Sequence, residues 1–382
     1  MTRNLRLVCL SAMLCTATAF TQVATAQGSN NSDVAYVYVA STAPNSNTAE
    51  IQGYAAAANG ALTHIAGSPF SANVNSMAVN GKYLFGSNNN GVDIDAYTIE
   101  ANGALTWSSQ SDVIQGENCD TPGSLFLDHT GQALYNVDIY GNDCANSTWQ
   151  AFSVGSKTGA LTFRDYAGAS PEYAAPLRFI ANNQFAYGAS CYHFYPAIFG
   201  VQRGSNGSLT MLNLEAPYPA SPEGEGWCPA STAADPANHL AIAMALEPAY
   251  GEVETYQLAS YTVGGSGNLM TNNTSANMPA VQVGTVSDLS MAPSGTLLAV
   301  SGAKGLQVFH FNGANPVTPY TGLLTSVEVD QIFWDNSHHL YAISRSAGKL
   351  WVFTVTATTH SEAPDSPYAV SDPGALIVQP LP

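Results

Sequence analysis

A short run close to Asn-Gly-Ala-Leu-Thr recurs five times in this chain, and the recurrence limits the fold more than any other feature. It reads Asn59-Gly60-Ala61-Leu62-Thr63, Asn102-Gly103-Ala104-Leu105-Thr106, Thr158-Gly159-Ala160-Leu161-Thr162, Asn206-Gly207-Ser208-Leu209-Thr210 and, more degraded, Ser266-Gly267-Asn268-Leu269-Met270. The glycines are spaced by 43, 56, 48 and 60 residues. Bounded but irregular periods suit propeller blades with variable loops better than a solenoid of fixed rise.

Around each turn the same order of four strand-like segments repeats. In the third unit these are Ser124–Asp128, Ala133–Val137, Trp149–Val154 and Leu161–Arg164, short, rich in aromatic and β-branched residues and separated by turn chemistry. Seven second strands can be counted, beginning at Tyr36, Tyr83, Leu134, Phe185, Leu240, Leu297 and Leu340, but the first unit has no strand before Tyr36. An unpaired segment, Ala375–Gln379, remains at the C-terminus. The sequence therefore predicts an all-β, seven-bladed β-propeller of four-stranded antiparallel blades, with the C-terminal strand completing the N-terminal blade and leaving no open sheet edge in the ring. No linker interrupts the series, so residues 27–382 read as one domain. The strand order puts the Asn-Gly turns on one face, the scaffold face. The longest connections, 107–123, 139–148, 166–176, 190–197, 215–229 and 246–253, fall on the other, where function on a rigid scaffold usually sits.

Residues 1–26 read as an export signal: Arg3 and Arg6, an apolar run from Leu7 to Phe20, and Ala24-Thr25-Ala26 as the cleavage pattern. A secreted protein, extracellular or periplasmic, is expected, with no membrane insertion. Without that segment the chain holds 27 acidic and 8 basic residues, a formal charge of −19. The basic residues are scattered singly, which disfavours nucleic acid and anionic membrane surfaces as partners. Four cysteines remain, Cys119, Cys144, Cys191 and Cys228, and in an oxidising compartment they imply two disulfides with three possible connectivities. All four map to the loop-rich face, where their placement favours Cys119–Cys144 and Cys191–Cys228. No close Cys/His spacing supports a metal, Asp138, Asn142 and Asp143 lack a calcium-loop signature, and no cofactor is expected.

The strand Tyr36-Val37-Tyr38-Val39-Ala40, the Gly-Ala-Leu-Thr turns and the following Ala66-Gly67-Ser68-Pro69-Phe70 resemble the lactonase-type seven-bladed β-propellers, which include the propeller 6-phosphogluconolactonases and exported Tyr-Val-Thr-Asn repeat proteins. The resemblance spans the mature chain and implies metal-independent opening or closure of a lactone at the mouth of the central channel by histidine, arginine and carboxylate groups. Two departures stand out. Cys119-Asp120-Thr121-Pro122 replaces the family's Cys-His-Ser-Ala, and Ala175-Pro176-Leu177-Arg178 replaces Gly-Pro-Arg-His, so both family histidines are missing.

Arg178 opens the first strand of blade four, where a guanidinium can clamp a carboxylate or an oxyanion. Asp288 and Asp330 occupy entry positions in blades six and seven and could partner it. His193 is the histidine best placed for acid–base work, and Glu223 and Glu225 could supply a carboxylate base. Asp120, Tyr140, Tyr192, Tyr195, Trp227, Asp330 and Arg345 are the expected ligand-binding residues, the aromatics suiting either a sugar face or a protein interface. The expected partner of this monomer is a small lactone or carbohydrate-like molecule. The rival is a non-catalytic extracellular scaffold that binds protein or glycan on the same face. No nucleophile elbow, zinc-protease motif, P-loop or dinucleotide fingerprint is present.

Overall fold

The alternating, β-branched segments fold as antiparallel strands, and among the described residues there is no α-helix. The computed structural model describes residues 33–44, 48–88, 93–112, 124–140, 146–168, 175–192, 195–214, 216–247 and 255–382, with only the backbone for 138–140, 146, 147, 192 and 195. Seven sheets follow the expected order. Blade one places Ala375–Pro380 innermost, paired to Ala35–Thr42 with Tyr38 opposite Ile377, so the C-terminal strand closes the ring as the repeat count requires. The inner strands of blades two to seven are Val74–Val79, Ser124–Leu127, Arg178–Phe179, Gly226–Ala234, Val286–Met291 and Gln331–Trp334.

The core is divided between neighbours: seven buried apolar clusters each join two consecutive blades. One of them packs Val37, Val39 and Val378 of blade one against Tyr341, Ile343 and Val352 of blade seven, so the closure is an apolar interface as well as a strand pairing.

The repeated turn also fastens the ring. Its five glycines have φ of 82°, 81°, 72°, 89° and 86°, the left-handed region that favours glycine. Each faces the preceding blade: a Cβ on Gly103 would lie 2.7 Å from the Tyr36 ring, and one on Gly207 2.9 Å from Ala133. Buried tyrosines of the preceding second strand complete the fastening. Tyr38, Tyr135 and Tyr187 donate to the carbonyls of Gly103, Gly207 and Gly267 at 2.7, 2.8 and 2.7 Å. Burial pushes all three phenols well above their ordinary pKa, so they remain donors. A sixth copy is disguised as Asn312-Gly313-Ala314, where Gly313 at φ 63° packs against His239 of blade five.

Several expected loops are instead strand. Blade three pairs from Ala133 to Tyr140 and back from Asn146, and blade four pairs out to Tyr192 opposite Tyr195. Residues 107–112 belong to the outer strand of blade two, and Gly226–Pro229 extend the inner strand of blade five. The cause is the β-propensity of these stretches together with available partners, which carries pairing beyond the blade body.

Candidate functional site

The inner strands surround a central channel. Its shaft is a cavity of about 340 Å³ lined by residues from all seven blades, among them Ile377, Met77, Leu125, Phe179, Ala233, Leu289 and Phe333. At the loop-rich end it opens into a mouth of about 210 Å³ lined by Ser76, Ser124, Arg178, Ser287, Asp288, Asp330 and Gln331. A side recess of about 150 Å³ lies among blades four, five and six, lined by Ala189, Ser231, Thr232, Ser287 and Asp288. Arg178 lines all three spaces.

Register explains its reach. Asp288 lies opposite Ser301 and Ser76 opposite Ser87, each the fifth residue of its second strand, whereas Arg178 lies opposite Tyr187, the third. The arginine is thus rooted two rungs deeper than the rim. Its Nε donates to the Thr232 carbonyl at 3.4 Å, and its Nη2 lies 3.7 Å from Asp288 Oδ1. Arg178 keeps about a third of its side chain exposed, at 35%, and Asp288 keeps 17%.

Asp288 is the group whose titration this environment alters most usefully. Burial pushes its carboxyl up to about 6, against the opposing pull of Arg178 and of the Ile332 and Leu289 amides. A carboxyl that titrates near neutrality beside an arginine fork can move a proton, while the guanidinium stabilises a developing oxyanion.

Other rim acceptors hold the ring together. Ser76 Oγ accepts from Leu125 N at 2.9 Å, Asp288 Oδ2 from Ile332 N at 3.3 Å and Gln331 Oε1 from Leu376 N at 2.7 Å. Each bond runs from one blade to the next. Asp330 reaches the mouth, but its Oδ2 accepts the Arg345 amide at 2.7 Å. The Arg345 side chain turns outward to Asp372 at 3.6 Å, both 60% exposed, a geometry worth little energy.

The structure brings Arg178 together with Asp288 and Asp330, and leaves other expected residues elsewhere. Glu223 is exposed, and Glu225 is half-buried just before the inner strand of blade five. Trp227 is buried in the core between blades four and five and donates its indole N–H to Pro219 O at 2.8 Å, so its ring is packing rather than a platform. His193, Asp120, Cys119 and Cys144 lie outside the described residues, as do the side chains of Tyr140, Tyr192 and Tyr195. Cys191 and Cys228 form the expected disulfide, with Cα atoms 5.3 Å apart, tying the second strand of blade four to the inner strand of blade five. The rim groups Ser76, Ser124, Ser287 and Gln331 escaped the sequence reading. Their signal was positional, the entry to each inner strand, without a distinctive residue type.

No family model and no curated protein matches the chain. Solved structures do. A Bacteroides fragilis protein provisionally named a 6-phosphogluconolactonase superposes with TM-score 0.65 at 12% identity over 92% of this chain and 99% of its own. The periplasmic gluconolactonase of Pseudomonas aeruginosa gives 0.63 at 16% identity over 91% and 100%, and a Lactobacillus plantarum protein 0.57 at 13% over 91% and 99%. The fold is that of the lactonase-type seven-bladed β-propellers.

Proposed function

We propose that this chain is an exported lactonase-like propeller that binds a lactone or carbohydrate-like small molecule at the loop-rich mouth of its channel and hydrolyses a ring ester there. The observation that carries the reading is the Arg178–Asp288 pair, a cation and a carboxyl of raised pKa facing the same opening. Arg178 donates to the lactone carbonyl oxygen. Asp288 as carboxylate takes a proton from the attacking water as the new C–O bond forms, then returns it to the ring oxygen as the ring C–O bond breaks. The product is the open hydroxy acid. Neither metal nor cofactor enters this scheme. Export is supported by the Cys191–Cys228 disulfide and by fold likeness to a periplasmic gluconolactonase, in keeping with the leader-like first 26 residues.

The test is pH-stat hydrolysis of a panel of sugar and aliphatic lactones by the mature chain, with Arg178→Ala and His193→Ala beside it. The proposal expects turnover on at least one lactone and its loss in Arg178→Ala by about 10²-fold or more. Absence of turnover with ligand binding intact favours the non-catalytic scaffold instead.

A further inference from the structure

Resting on that reading, we propose that the ligand of this mouth is an amphiphile: a lactone, or the hydroxycarboxylate it opens to, whose aliphatic chain enters the shaft. Mouth and shaft are one continuous space, since Met77, Leu125, Arg178 and Phe333 line both. The polar part is a thin collar. Below it the shaft is walled by Met77, Leu125, Leu289, Phe333, Trp334 and Ile377, and between Arg178 at its top and His129 at its foot no ionisable side chain lines it among the described residues.

A polyhydroxylated ring needs an acceptor or donor for almost every hydroxyl, because each one stripped of water and left unpaired opposes binding. Part of the collar's capacity is already committed to the ring. The acceptors of Ser76, Asp288, Gln331 and Asp330 already receive backbone amides at 2.9, 3.3, 2.7 and 2.7 Å. Among the described residues the collar offers the Arg178 guanidinium, the Asp288 and Asp330 carboxyls, the Gln331 amide and the hydroxyls of Ser76, Ser124 and Ser287, a narrow ring of groups that suits an ester or carboxylate head group. Beneath that head the larger part of the lining is apolar and suits methylenes. An inner strand such as Ser76–Val79 gives the shaft a depth of about 10 Å, room for a tail of roughly eight carbons at extended-chain spacing.

Calorimetry with 4-hydroxyalkanoates of increasing length, the open forms of γ-alkyl lactones, against gluconate measures this directly. Affinity should rise about fourfold per added methylene until the shaft is full, and gluconate should bind no better than the shortest member. Ser290→Phe, placed in the shaft wall, should flatten the length series and leave the shortest member unchanged, and Ala234→Leu serves if the first variant fails to fold. Arg178→Ala should weaken every member by a similar factor. A flat series, or gluconate as the tightest ligand, overturns the amphiphile and leaves the mouth as a binding site. Failure of every lactone, hydroxy acid and sugar acid to bind overturns both.

Discussion

Among the described residues one aspartate–arginine pair stands at the mouth of the channel and another on the opposite, scaffold face, and the two are built for different ends. At the scaffold foot Arg203 Nη2 meets Asp128 Oδ2 at 2.6 Å, with the carboxylate fully buried and the arginine 14% exposed. Asp128 also accepts from Thr130, Gln132 N, Ala133 N and Asn183, so its charge is consumed by the turn between the first two strands of blade three. At the mouth Arg178 and Asp288 stand 3.7 Å apart, with about a third of the arginine side chain in solvent. A saturated pair holds a fold together. A loose one retains charge for something that arrives.

Removing the foot pair should produce the largest effect on stability. Asp128→Ala leaves Arg203 buried without its partner and strips the turn of its acceptor, a loss of about 3–5 kcal/mol in chemical denaturation. A loss no greater than for an exposed acid such as Glu223 would erase the contrast between the two ends. Next comes the disulfide that flanks the mouth. Cys228→Ser opens a linkage across 37 residues, and the chain-entropy estimate for that span is about 3–4 kcal/mol, read as a lower denaturation midpoint under non-reducing conditions.

Asp288→Asn should act in the opposite direction. Its folded pKa of about 6 lies above the ordinary aspartate value of 3.8, so the stability tied to its protonated form is complete below about pH 4 and is lost as pH rises through about 6. At pH 7.5 the asparagine variant should therefore be more stable than the parent by about 1–3 kcal/mol, and the two should converge near pH 4. Greater stability of the parent at pH 7.5 would mean that the mouth pair is structural like the foot pair. The smallest effect belongs to a single fastening: Tyr135→Phe deletes the bond to Gly207 O and should cost about 1–2 kcal/mol by thermal or chemical unfolding.

What the sequence disclosed and what it withheld follow from the range of the interactions. The glycine turns were legible because φ and turn type are local, and the ring followed from counting them. That the same glycines accept blade-to-blade tyrosine bonds was not legible, since Tyr38 and Gly103 meet only once two blades stack. Arg178 was found by its place at an inner-strand entry, but its seat two rungs below the rim depends on register, which Pro176 and Leu177 do not reveal by themselves. The entry positions of Asp288 and Asp330 marked both as possible partners of Arg178, but only the closed ring, which carries the pairing from blade four to blade six and leaves Asp330 on the Arg345 amide, selects Asp288. Trp227 misled for the reverse reason. Its Glu-Gly-Glu-Gly approach resembles an open loop, yet the inner strand of blade five begins at Gly226 and turns the indole into the core.

The central claim is that the mouth pair performs the chemistry that the foot pair cannot. Its most direct measurement is the pH dependence of kcat/KM for hydrolysis of a responsive lactone by the parent protein and by Asp288→Asn. The account predicts a parent rate that rises with an apparent pKa near 6, where Asp288 becomes carboxylate, and a variant rate that is reduced and lacks that inflection. An unchanged profile in the variant would contradict it.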